Sequence, residues 1–155
     1  NTQAYTLTYL GHALVGLDRL AEAAEAYWQA MILLRELGQP HVATEPLAGL
    51  AQLHLIEGDL TQARSYVDEI LDHLETGSVE GAEDPFFIYW ICYHVLQASA
   101  DPRAAEVLST AHDLLQTRAR GIADERLRRL FLQNVASHRE IVHAFESRFP
   151  GLDES

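Results

Sequence analysis

Residues Leu10 to Ala30 read LGHALVGLDRLAEAAEAYWQA, and forty positions later Leu50 to Ile70 read LAQLHLIEGDLTQARSYVDEI. Leu10 falls on Leu50, Gly11 on Ala51, Leu20 on Leu60 and Ala23 on Ala63. Tyr27 falls on Val67 and Ala30 on Ile70, so small matches small and large apolar mostly matches large apolar. Self-similarity at a fixed period marks a stacked-repeat architecture, in which each unit buries its apolar face against its neighbours. Such a chain is expected to be a binding scaffold, and the repeat alone does not name what it binds.

Outward from this stretch, Leu7, Leu10, Gly11 and Leu14 form one stripe of a helix over residues 3–16. Gly16 to Arg19 is a turn, with Asp18 as the expected cap of a second helix from Arg19 to about Leu37. Gly38–Gln39–Pro40 stops that helix by a C-terminal glycine followed by proline. A third helix is expected from Val42 to Glu57, with Pro46 tolerated in its first turn. After Gly58–Asp59 a fourth runs from Leu60 to Thr76, and Gly77 to Asp84 (GSVEGAED) reads as a loop. Asp84–Pro85 opens an aromatic-rich fifth helix ending near Ala98, and Asp101–Pro102 opens a sixth. Ala104, Leu108 and Ala111 repeat the spacing of Ala23, Tyr27 and Ala30. Asp101 aligns better with Asp59 if one residue is deleted in the turn, so the register of the fifth helix is open by one residue. Beyond Arg118 the repeat stops. Residues 122–134 and 137–149 read as two further helices, the second opened by a Ser137-x-x-Glu140 capping box.

The residues Leu7, Leu10, Gly11, Leu14, Leu20, Ala23, Tyr27 and Ala30 resemble the tetratricopeptide repeat. The usual repeat of that family is 34 residues, against a period of 40 here. The resemblance spans roughly residues 4–118 and implies an all-α solenoid of about three antiparallel helix pairs, at 4–38, 42–76 and 84–118. In it, Gly11 or Ala51 lets the second helix of a pair approach where Ala23 or Ala63 faces it. Residues 1–121 thus form the repeats and 122–155 the C-terminal capping helices. The segment DERLRRLFLQNVASHREIVHAF, residues 124–145, is similar to the closing segment of such regions at the C-terminus of large bacterial multidomain regulators.

The resemblance also implies a site, because in this family the first helix of each repeat lines a concave, peptide-binding face. Carried across by position, that face holds Tyr5, Tyr9 and His12, then Glu45, Gln52 and Ile56, then Tyr89, Trp90 and Tyr93. Tyr and Trp are common interface anchors, offering rigid apolar area with a polar tip. The Lys and Asn with which family members grip a C-terminal carboxylate are missing at these positions, which argues against that mode. The expected partner is a protein or peptide carrying basic residues.

Composition narrows the alternatives. The net charge is −12, with −11 in residues 1–100 and −1 in residues 101–155, and every basic residue is arginine. Such an acidic surface repels phosphate backbones and anionic lipid, so neither nucleic acid nor membrane is expected as the ligand. The longest uncharged apolar run is far short of the ~20 residues that span a bilayer. No secretory signal is read at the start, and the chain begins within a helical pattern, as a piece of a longer protein would. The lone Cys92 cannot form an internal disulfide and reads as a small apolar filler in a reducing cytoplasm.

Eight histidines invite a metal, but no pair has the three- or four-residue spacing that shares a helical face, so none is expected. There is no phosphate loop, no nucleophile elbow and no sequence sign of an enzyme or cofactor. Arg118, Arg120, Arg126, Arg128 and Arg129 read as a solvent face paired with Asp124, Glu125 and Glu140. The competing reading of the whole chain is a structural spacer or self-association module of a larger signalling regulator.

Overall fold

The computed structural model describes residues 1–76, 82 and 84–151, so most of the expected Gly77–Asp84 loop lies outside the described residues. Among the described residues the chain is all-helical and has no strand. The helices are α1 (Thr2–Gly16), α2 (Leu20–Glu36), α3 (Thr44–Glu57), α4 (Leu60–Thr76), α5 (Pro85–Ala98), α6 (Arg103–Arg120), α7 (Glu125–Gln133) and α8 (Ala136–Arg148). A single 3-10 turn, Pro40–Ala43, leads into α3. No helix among the described residues is long and apolar enough to cross a membrane.

Consecutive helices pack as hairpins, α1 on α2, α3 on α4 and α5 on α6, and α3 lies between α2 and α5. The short turns within the three hairpins share one design. Asp18, Gly58 and Ala100 each take a left-handed conformation, with φ of 59°, 82° and 51°. The next amide then reaches back over the helix end: Arg19 donates to the Leu14 carbonyl at 2.9 Å, Asp59 to His54 at 2.8 Å and Asp101 to Leu96 at 2.9 Å. This is the Schellman closure, which satisfies a carbonyl that the helix end leaves orphaned. Asp18 is therefore the left-handed turn residue and not the cap of α2, whose N-cap position is Arg19.

These turns fix the register that the sequence left open. The turn residues stand forty and then forty-two apart, whereas the buried alanines Ala23, Ala63 and Ala104 stand forty and then forty-one apart. One residue is missing between the third turn and Ala104. Positions on α5 are accordingly counted forty-two from α3, which aligns His12 with Gln52 and His94, and Gly11 with Ala51 and Tyr93.

A close approach joins the first two hairpins. The Tyr27 ring, fully buried, is held between two glycines, one on α1 and one on α3. A methyl group on Gly11 would stand 2.7 and 2.8 Å from ring atoms Cδ1 and Cζ, and one on Gly49 would stand 2.5 Å from Cζ. Gly11 was legible in the repeat, but it faces the ring of Tyr27; Gly49 was not, because it occupies the position of exposed Tyr9.

Ion pairs tie each second helix to the next hairpin. Arg35 on α2 reaches Glu69 on α4, Arg64 on α4 reaches Asp101 at 3.1 Å, and Arg103 on α6 reaches Asp68 at 2.8 Å. Asp101 is largely covered and also accepts from the Arg103 amide and side chain. Those arginine hydrogen bonds hold its carboxyl down at about 2.

The C-terminal elements depart from expectation in two ways. Ser137 does not cap α8; the N-cap position is Val135 without a side-chain bond, and the Ser137 hydroxyl is buried with no partner among the described residues. The arginine group is not paired with Asp124, Glu125 or Glu140 among the described residues. Arg128 instead donates to the Ile122 carbonyl at 2.8 Å, and Arg118 lies over the Phe86 ring. Asp124 is engaged as the N-cap of α7.

Two substitutions should move stability in opposite directions. Gly49→Ala gains up to ~1 kcal/mol of helix propensity. Overpacking against a ring with no room to move costs ~1–3 kcal/mol or more, so a net loss of stability in urea is expected. Ala100→Gly relieves a left-handed alanine and should add ~1 kcal/mol. Asp101 supplies a pH test. Its folded pKa lies below the ordinary value, so its contribution is present above the unfolded pKa and is lost as pH falls through the folded one. Between about pH 4 and pH 2 the parent should lose more stability than Asp101→Asn, as read from unfolding midpoints at each pH.

Candidate binding groove

The first helices of the hairpins stand side by side, α1 on α3, α3 on α5, and α5 then on α8. Ala4, Thr8, Gly11 and Leu14 are buried on α1, and on α3 every residue from Thr44 to Ala51 is buried. The C-terminal ends of both helices reach an open surface. A cleft of about 430 Å³ is lined by His12, Val15, Gly16, Gln52, Asp84 and Phe87. A second, of about 410 Å³, runs from Gln52, Leu55 and Ile56 past Phe87, Trp90, Ile91 and His94 to Ala136, Ser137 and Glu140. The two share Gln52 and Phe87, so they form one groove across α1, α3 and α5, walled at its far end by the first turn of α8.

The groove is aromatic and acidic. Neither cleft is lined by an arginine, while Asp84 and Glu140 carry carboxylates along it. The Trp90 and His94 rings meet edge to face at 4.2 Å. Burial lowers the His94 pKa, with Glu140 acting weakly the other way, so this ring is neutral at pH 7 and adds no positive charge.

His12 is fixed by a chain of buried partners. Its Nδ1 lies 2.7 Å from the Tyr27 hydroxyl and its Nε2 lies 3.3 Å from a Glu45 carboxylate oxygen. Burial, and then the nearby Glu45, raise the Tyr27 pKa, so its O–H remains a donor. The tautomer that satisfies both neighbours accepts from Tyr27 at Nδ1 and donates to Glu45 from Nε2. The imidazole also packs edge-on against Phe87 at 4.9 Å between centroids. Tyr27 has no exposed surface to offer a substrate; the chain positions the His12 ring on the groove wall.

Of the nine residues expected on this face, His12, Gln52, Ile56 and Trp90 line the groove. Tyr9 is exposed with its ring 6.4 Å from His12, and Tyr5 is half-buried on the same helix. Glu45 is buried beneath His12 and not a surface group. Tyr93 is buried as well, because the shortened third turn rotates it into the seam position of Gly11 and Ala51. Tyr89 lines a different cleft, between α4 and α6, beside Leu71, Glu75 and Glu106. Burial and the neighbouring Cys92 raise its pKa, with Arg118 lowering it. Phe87, Ile91, His94 and Glu140 enter the groove without having been anticipated. The alignment of Asp101 with Asp59 held the signal for the first three; Glu140 needed the docking of α8.

Other candidate chemistry is quiet. Cys92 is fully buried, and burial pushes its thiol up to about 12. Among the described residues no three His, Cys, Asp or Glu side chains converge as a metal site. Comparison of the chain with family models, curated proteins and solved structures finds no match.

Tyr27→Phe keeps the ring between its two glycines and removes only the hydroxyl facing His12. Loss of about 1 kcal/mol in denaturant unfolding is expected, the scale of one hydrogen bond whose remaining partner can reach water. The His12 ring signals should broaden in NMR spectra, since one of its two anchors is gone.

Proposed function

We propose that this chain is a non-catalytic protein-interaction scaffold of tetratricopeptide type, a cytoplasmic segment of a larger regulatory protein, and that its groove receives a peptide. The observation that carries the reading is the continuous groove from His12 through Gln52, Phe87 and Trp90 to Glu140, formed by the first helices α1, α3 and α5 and walled by α8. Three hairpins closed by the same left-handed turn support the repeat reading, as does the fit of α8 against the last pair.

The lining describes its ligand. Ile56, Phe87 and Trp90 offer apolar area for one or two large side chains. Asp84, which lies in the stretch 1–100 of net charge −11, and Glu140 favour Lys or Arg nearby and repel acidic segments. An extended or helical peptide with apolar anchors and flanking basic residues fits both features.

The test uses binding and stability together. Trp90→Ala should weaken such a peptide by ~2 kcal/mol, the scale of an interface anchor, and leave the thermal midpoint nearly in place. Tyr93→Ala should do the reverse, costing ~3–5 kcal/mol of stability as a core aromatic does. Calorimetric titration beside thermal unfolding separates the two; equal peptide affinity for parent and Trp90→Ala would refute the groove.

A further inference from the structure

The two ends of the stack carry complementary unfinished surfaces, and we propose that they dock, so that the chain associates head to tail with further copies of itself. At the front, the comparison of α1 with α3 is informative. On α3 the stripe Pro46, Leu50 and Leu53 is buried, and α2 packs against that helix. The same positions on α1 are Thr6, Leu10 and Ala13, and all three are exposed, Leu10 at 48% against 4% for Leu50. The α1 stripe has the form of a face that receives a helix, and in this structure none covers it.

At the back, α7 is the only one of the eight described helices with no buried residue. It exposes Leu127 at 56% and Leu130 at 40%. A helix that leaves its apolar side chains in water is short of a partner surface.

Charge selects the pairing. Exposed Arg126 and Arg129 flank the two leucines of α7. On the front edge, α2 carries exposed Glu25, and exposed Glu22 paired with Arg19, next to an α1 that has no charged residue. The internal seam supplies the template. Arg35 of one hairpin grips Glu69 of the next, and Glu69 stands forty residues beyond Gln29, which is itself hydrogen-bonded to Glu25. At that seam the arginine comes from the preceding unit and the glutamate from the following one. The contact is heterologous, so it extends in a line and does not close as a two-fold dimer.

Sedimentation velocity of the whole chain over a wide concentration range tests this. The parent should show a mass that rises with concentration and falls again when salt is added. Leu10→Glu blocks the front and Leu127→Glu the back; both sites are exposed, so circular dichroism should be unchanged while each variant alone stays monomeric. Mixed together, they retain one good front and one good back and should stop at a dimer. A parent that is monomeric at every concentration overturns the proposal and leaves the α1 face to a helix of another protein or of a longer chain. Association that survives both substitutions overturns it equally. Neither result bears on peptide binding in the groove, which Trp90→Ala reads separately.

Discussion

The arrangement of the molecule depends on one ring held between two glycines. Tyr27 belongs to α2, yet its ring fills the space where α1 and α3 come together, against Gly11 on one side and Gly49 on the other. A side chain at either glycine would push the helices apart by the width of a methyl group. The same residue sends its hydroxyl to the groove wall, where it anchors His12. Core packing and the shape of the open face are thus set by a single side chain, and Tyr27 links the two.

The hairpins repeat because their turns repeat. A left-handed residue and a reach-back amide close α1, α3 and α5 in the same way, and Gly38 with the Gln39 amide closes α2 likewise. Buried alanines at 23, 63 and 104 then let the partner helices approach, since dense packing leaves no room for larger groups there. The exposed ion pairs between second helices are each worth little, ~0–1 kcal/mol. Their role is to set direction, since every one joins a hairpin to its successor. Asp101 differs in being covered and doubly engaged by arginine, and it sits in the turn whose length changes.

That change marks the limit of what the amino-acid order made visible. The helices and hairpins were legible because apolar spacing and glycine or proline punctuation are local. Of the positions on α1 and α3 that the resemblance implied, His12, Gln52 and Ile56 line the groove, and Tyr5, Tyr9 and Glu45 do not. On α5 one missing residue in the turn moves every side chain around the helix by about 100°, consistent with 3.6 residues per turn. Tyr93 goes into the seam, and His94 comes out. Glu45 was hidden for another reason: a buried carboxylate reads like a surface one until its histidine neighbour is known. Gly49 and Glu140 act across distant elements, where periodicity carries no information. Ser137 matched a local capping pattern, yet Val135 takes the N-cap position of α8.

The groove makes a direct claim about two tryptophans. Trp90 lines it, whereas Trp28 is exposed on α2 and lines neither of the clefts that form the groove. In a Trp28→Phe variant the only indole is Trp90, and its emission reports the groove alone. Titration with a peptide bearing an aromatic anchor and flanking arginines should shift that emission to shorter wavelength and saturate. If the peptide binds, as judged by calorimetry, while Trp90 emission stays unchanged, the ligand lies elsewhere and the account of this face is wrong.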